Sequence, residues 1–282
     1  MTDRPDSAEW GQTSEPSPRR VLYPVFGSES EAVIHIGASV AQGTDAELVV
    51  GALDDVAGEP SFDASRDLAK TVFRAQTDCA LDVHVQAVPL AGSSVLEGIV
   101  SGADTYDAGV VVLGDEVTEP RESKLAGRIA GDTVVVNDRA PLASVASLLV
   151  PVADGPHSGA AVDAAAAVAR ANDAWLELVH VETGDSDDSV ADPDALLEAA
   201  RERATGVEVD TRVVEADDVA GAIVDESEYH DVTVIGAPAS GRLRRLIFGS
   251  TAADVREDAH NTVVMARHGS DPERTLFDGP IR

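Results

Sequence analysis

The residues best suited to chemistry stand near the end of the chain, in "VTVIGAPASGRLRRLIFGST" at residues 232–251. Gly236 and Gly249 permit close backbone approach. Ser250 and Thr251 then open a helical pattern, and a helix N-terminus offers unpaired N–H groups and a positive dipole end to an anion. Their hydroxyls can add donors to phosphate oxygens. Arg242, Arg244 and Arg245 concentrate positive charge in a chain otherwise short of it, which would offset the repulsion of a phosphate by an acidic surface. This is phosphate-binding chemistry, but not a Walker A loop. "GAPASGRL" has Arg242 and Leu243 where that motif needs Lys and Ser or Thr. Pro238 has no N–H to donate, and Ala239 is restricted wherever a positive φ is required.

The elements that must position these residues occur twice. "RVLYPV" at 20–25 matches "SLLVPV" at 147–152, and each precedes a small-residue turn and a helical pattern. Aligning Ser30 with Ser158 brings Ala46 onto Ala174. "AGVVVLG", ending at Gly114, matches "DVTVIG", ending at Gly236. "DTVVVND" at 132–138 matches "NTVVMAR" at 261–267. Four matches in one order indicate a duplicated domain. In the second copy, Val-rich runs predict strands at 147–152, 175–181, 207–214, 232–236 and 262–266. Helices are predicted between them at 158–171, 192–204, 219–226 and 250–258. Asp192 with Pro193 supplies a cap and a first-turn proline. Alternating strands and helices predict an α/β fold of two tandem open, mostly parallel five-stranded sheets flanked by helices, Rossmann-like in form. The predicted divisions are a disordered tail at 1–18, a first domain at 19–138, a linker at 139–146, a second domain at 147–267 and a C-terminal tail at 268–282, whose structure is left open.

With these features the sequence resembles a tandem universal stress protein of the UspA family, over residues 20–267. Nucleotide-binding members of that family carry Gly-x2-Gly-x9-Gly-Ser/Thr after the fourth strand, and the matching positions here are Gly236, Ala239, Gly249 and Ser250. Ala239 replaces the second glycine, with Gly241 two residues later. The resemblance implies ATP or a related adenine nucleotide, with Mg2+, in the second domain. It carries over the set Gly236, Ala239, Gly249, Ser250, Thr251, Asp154 and Val181. Relatives place an Asp two residues after the first-strand proline. Here Asp154 follows Pro151 one residue late, and it serves either an adenosine or the turn itself. In the first domain Phe26 takes that place, Arg128 replaces the Ser, and Asp115, Glu116, Glu119 and Glu122 would repel phosphate. That half reads as a degenerate structural copy. The family's last strand commonly pairs domains, so 132–138 and 261–267 are expected either to pair inside one chain as a pseudo-dimer or to join two chains in a homo-oligomer.

Bulk properties limit the alternatives. Of 282 residues, 51 are acidic and 21 basic, giving a formal net charge of −30. Molar salt would screen such self-repulsion over about 3 Å, and the acids run along the whole chain, so the composition reads as halophilic. Duplex nucleic acid is a poor partner for such a surface. No apolar run reaches membrane-spanning length and no leader pattern opens the chain, so a cytoplasmic, non-inserted protein is expected. Cys79 is alone, which precludes an internal disulfide.

The remaining polar candidates have plainer readings. "HIGA" at 35–38 imitates half of a synthetase signature, but His35 aligns with Asp163 and is expected inside a helix near the surface. His157 is read as a loop residue without a role. His180 is read the same way, at a strand end. No histidine has a partner at metal-ligand spacing, and no Gly-x-Ser-x-Gly elbow is present. The expected function is a stress-response regulatory module that binds nucleotide and is not an enzyme. A scaffold of the same fold that binds no nucleotide remains open beside it.

Overall fold

The computed structural model describes residues 19–25, 30–53, 62–77, 82–114, 125, 127–139, 142, 144–184, 192–237 and 251–277. The elements among them run β1 (Arg20–Val25), α1 (Glu31–Gly43), β2 (Glu47–Leu53), α2 (Phe62–Thr77), β3 (Val85–Leu90), α3 (Val95–Thr105), β4 (Val110–Gly114) and β5 (Asp132–Asn137). There follow β6 (Ser147–Pro151), α4 (Ser158–Asn172), β7 (Trp175–Glu182), α5 (Pro193–Arg203), β8 (Val209–Glu215), α6 (Val219–Ser227), β9 (Val232–Gly236), α7 (Thr251–Asp258) and β10 (Thr262–Arg267).

Local sequence explains several boundaries. The Ser30 and Ser94 hydroxyls accept from the Val33 and Glu97 amides and cap α1 and α3. Asp192 accepts from the Asp194 amide just ahead of Pro193 and so starts α5 as predicted. Asp218 caps α6 through the Gly221 amide. Such caps contribute about 1 kcal/mol each. The repeat is visible in the backbone. Asp45 and Asp173, which align in sequence, both take the left-handed conformation after α1 and α4, at φ 54° and 55°. A short polar side chain tolerates that region better than a branched one.

The two expected sheets are one. The strand order is β3-β2-β1-β4-β5-β10-β9-β6-β7-β8, so each half has the same internal order and the halves meet edge to edge. Every pairing within a half is parallel. The junction between β5 and β10 is antiparallel, with Val136 opposite Val264 and Thr133 opposite Arg267. The intrachain alternative for the last strands is therefore the one the fold adopts. Central strands such as β1 and β4 are buried on both faces, as their unbroken apolar runs require. The outer strands β3 and β8 alternate or face water. Pro89 on β3, and Arg212 on β8 paired with Glu177 and Glu226, keep those edges from inviting another strand.

One face of the sheet is covered by α1, α2, α4 and α5 over a continuous core. The other is covered by α3 in the first half and by α6 and α7 in the second. The first face also holds a direct contact between α1 and α4. Asn172 uses both amide donors, on the Ser39 hydroxyl at 2.9 Å and the Val168 carbonyl at 2.8 Å. Its Oδ1 therefore accepts, and His35 donates from Nε2 at 2.8 Å. His35 is helical as expected, but it is buried between the two halves rather than near the surface. Sequence alone could not see this, because the neighbour that covers it lies 137 residues away. Leu142 and Val145, in the segment read as a linker, are also buried.

At the far end of α1, a Cβ on Gly43 would stand 1.9 Å from the Ala167 carbonyl oxygen. Gly43→Ala is therefore expected to force the helices apart and cost roughly 1–3 kcal/mol, the usual range for overpacking. Gly155→Ala, whose Cβ would meet nothing within 4 Å, serves as the control and should change stability by less than about 0.5 kcal/mol. Denaturant unfolding in molar KCl measures both. Equal midpoints for the two variants would contradict the contact.

Candidate functional site

In the second half the chain order reverses between β6 and β9. Strands β7 and β8 are laid down to one side of β6, and β9 and β10 to the other. In open α/β sheets, ligands bind in the crevice at the carboxyl ends of strands beside such a reversal. β6 ends at Pro151 and β9 at Gly236, and the two are in parallel register. Gly236, Asp154 and Val181 thus come from three adjacent strand ends. Val181 is half-buried among the residues that pack under α6 and α7. Asp154 is exposed in the turn after β6. Thr251, half-buried, opens α7. The predicted positions Ala239, Gly249 and Ser250, the arginines 242, 244 and 245, and the first-half positions Phe26, Asp115, Glu116, Glu119 and Glu122 lie outside the described residues.

The turn from β6 into α4 is held from several sides. The Ser158 hydroxyl accepts from the Ala153 amide at 3.2 Å. The Val152 amide donates to the Val179 carbonyl at 2.8 Å, and the Val152 carbonyl lies 2.9 Å from His180 Nδ1. His180 is buried inside β7, which continues to Glu182, so it braces the turn and does not end the strand. Although Ser30 and Ser158 align, Ser30 precedes α1 as its cap whereas Ser158 is already the first residue of α4. The cap position of α4 is His157, and its side chain makes no capping bond. Unlike α1, α3, α5 and α6, this helix presents its first amides without a side-chain acceptor, at the crevice.

Gly236 has a role the sequence did not reveal. A Cβ there would meet the His157 carbonyl oxygen at 2.8 Å and the Ser158 nitrogen at 3.0 Å. The absent side chain lets the start of α4 sit directly against the end of β9.

His157 is also more than a loop residue. Burial, then Arg267, then His268 push its pKa down to about 4. At pH 7 it is neutral, so Nδ1 can accept the His268 amide hydrogen at 3.3 Å. The His157 and His268 rings lie 6.3 Å apart and tilted. His268 Nδ1 in turn stands 3.5 Å from Oδ1 of Asp132, a fully buried carboxylate of the first half. Asp132 went unnoticed in the sequence and His157 was set aside as a loop residue, since only the fold brings positions 132, 157 and 268 together. Another buried histidine, His230, packs on Trp175 and lies 3.1 Å from Glu177. It belongs to the amino end of β7, away from the crevice. Among the described residues, no group of three or more His, Cys, Asp or Glu could hold a metal ion, and no helix is long and apolar enough to cross a membrane.

Comparison with known proteins gives a consistent picture. The family model of the universal stress protein family matches residues 146–267. Among solved structures, a universal stress protein from Archaeoglobus fulgidus DSM 4304 superposes with a TM-score of 0.57 at 14% identity, over 89% of this chain and 96% of that one. A putative universal stress protein from Pseudomonas aeruginosa UCBPP-PA14 gives 0.55 at 17% identity, over 89% and 94%. The cytoplasmic domain of a prokaryotic cation chloride cotransporter gives 0.60 at 13% identity, over 92% and 98%. At these identities the likeness is one of fold. No curated protein matches the chain.

Gly236→Val tests the packing at the strand end. The added side chain would strike backbone atoms, which cannot turn aside. A loss of roughly 1–3 kcal/mol is expected, read as a lower unfolding midpoint. An unchanged midpoint would mean that α4 does not begin against β9.

Proposed function

We propose that the chain is a member of the universal stress protein family, whose model matches residues 146–267, and that its second half binds an adenine nucleotide at the β6/β9 crevice. The observation that carries this reading is the start of α4 beside Gly236. A helix whose first amides have no side-chain cap opens where a reversing parallel sheet forms its ligand crevice. An anion such as a phosphate suits that end of the helix dipole. Gly249 and Ser250 of the family motif would add to this site, and Thr251 follows at the head of α7. Asp154 and Val181 flank the adenosine side. ATP suits this donor set, but no acidic cluster among the described residues fits Mg2+, so no role is assigned to the metal.

Binding here is for regulation and not for turnover. A neutral His157 whose Nδ1 is occupied by a backbone amide is no general base for water. The protein is then a tandem stress-response module with one working site, acting in a salt-rich cytoplasm. The competing reading is a scaffold of the same fold. The close packing of Gly236 against the His157 carbonyl favours it, because that space is filled by the protein itself.

Titration calorimetry with ATP, ADP and cyclic AMP in molar KCl, with and without Mg2+, separates the two. Binding is expected, weakened at least tenfold by Gly249→Val or Ser250→Glu. No heat at millimolar ligand from a folded sample would favour the scaffold. Steady ATP hydrolysis abolished by either substitution would overturn binding without turnover.

A further inference from the structure

Residues 268–277 follow the last strand, and the antiparallel junction decides where they go. Arg267 is opposite Thr133, so the next residue, His268, arrives opposite Asp132 at the start of β5. Asp132 is completely buried. A carboxylate in such a place needs donors, and the tail supplies them. The Gly269 amide donates to Oδ1 at 3.0 Å, and the Leu276 and Phe277 amides donate to Oδ2 at 3.0 and 2.9 Å. The rest of the segment is fitted to the same surface. The Gly269 backbone lies so close to Ala130 that a Cβ would stand 2.1 Å from its carbonyl oxygen. Leu276 fills the space in front of Gly109, and Phe277 is buried. Arg274 donates to Asp104 at 2.8 Å and to the Ala103 carbonyl at 2.9 Å, with Asp107 at 3.2 Å. The tail's tie to the second half is the His268 amide on His157 Nδ1.

We propose that residues 268–277 are a proton-sensitive latch, docked on Asp132 while His157 is neutral and released when a proton takes the Nδ1 lone pair that the His268 amide uses. The proton comes from solvent. Once it is bound, two N–H groups face each other and the new imidazolium meets Arg267 from β10 and His268 from the tail. Among the described residues, the carboxylates of this neighbourhood are Asp132, on the far side of His268, and Asp154, exposed in the preceding turn, and β9 itself carries no charged residue.

The docked pKa of about 4 is set first by burial, then by Arg267 and His268. Release relieves what the tail adds to these while Arg267 stays on β10, so the pKa moves up toward the value of about 6.5 of a free histidine. The released state binds the proton more readily, so docking is strongest above pH 6.5 and weakens as pH falls toward 4. The limit is about tenfold in the docking constant per pH unit, and a few hundredfold in all. The latch needs no nucleotide and stands or falls apart from the binding proposal.

Hydrogen exchange of the full chain in molar KCl, corrected for the intrinsic pH dependence, reads the latch directly. Protection of the Gly269, Leu276 and Phe277 amides is expected to fall several-fold to tenfold per pH unit from 6.5 to 4.5, while the β6 and β9 amides stay protected. His157→Asn keeps an acceptor but cannot titrate, and should hold the tail protected at a level independent of pH. Asp132→Asn should lower tail protection at every pH. Should that variant not fold, His157→Asn alone decides. The latch is refuted if wild-type protection is flat across this range, if His157→Asn keeps the same slope, or if tail and core amides are lost together.

Discussion

The antiparallel pairing of β5 with β10 is the constraint from which the rest of the molecule follows. Each half is a parallel sheet that could stop at its last strand, leaving a row of Val-rich backbone open to association. Pairing those two edges inside one chain removes both hazards together. It places Val134, Val136, Val264 and Ala266 in a single core and brings α1 over α4, where His35, Ser39 and Asn172 complete one another's hydrogen bonds. The bonds of Asn172 to His35 and Ser39 cross between the halves, so the trio specifies the junction as well as stabilising it.

Antiparallel pairing has a second consequence. The carboxyl ends of β1–β5 and of β6–β10 point to opposite edges of the sheet, so the two crevices that a duplicated fold offers lie far apart. What stands next to the second-half crevice is the amino end of β5, with Asp132. A tail leaving β10 has nowhere to go but across that surface. A buried carboxylate, a neutral histidine and a crevice are thereby brought into one neighbourhood, although the carboxylate lies far in sequence from the other two.

Much of the fold was legible because it is written in local patterns. The Val-rich runs give the strands of the second half to within two residues, and Asp192 with Pro193 marks the start of α5. The alignment of Ser30 with Ser158 proved right for the helices and one residue off for the cap, since α4 uses its serine to hold the turn. What stayed hidden depends on contacts between distant segments. His35 looked superficial because α4 is absent from its local sequence, and the last strands were expected to pair either within one chain or between two because nothing local chooses between those pairings. The candidate site was legible only in part. Gly236 stood out as a glycine, yet its close partner is the His157 backbone. Ala239, Gly249 and Ser250 fall outside the described residues, and His157 gave no signal beyond its position after the first strand of the repeat.

The account rests on β5 and β10 pairing within one chain, and a cross-link tests that pairing most directly. Val135 and Met265 are register partners on the face away from α1 and α4, and such pairs bring Cα atoms within disulfide range. In a Cys79→Ala background, Val135→Cys with Met265→Cys is expected to oxidise to a species of monomer mass with faster electrophoretic mobility. Covalent dimers as the main product, or two thiols that remain free under oxidation in a folded protein, would contradict the account.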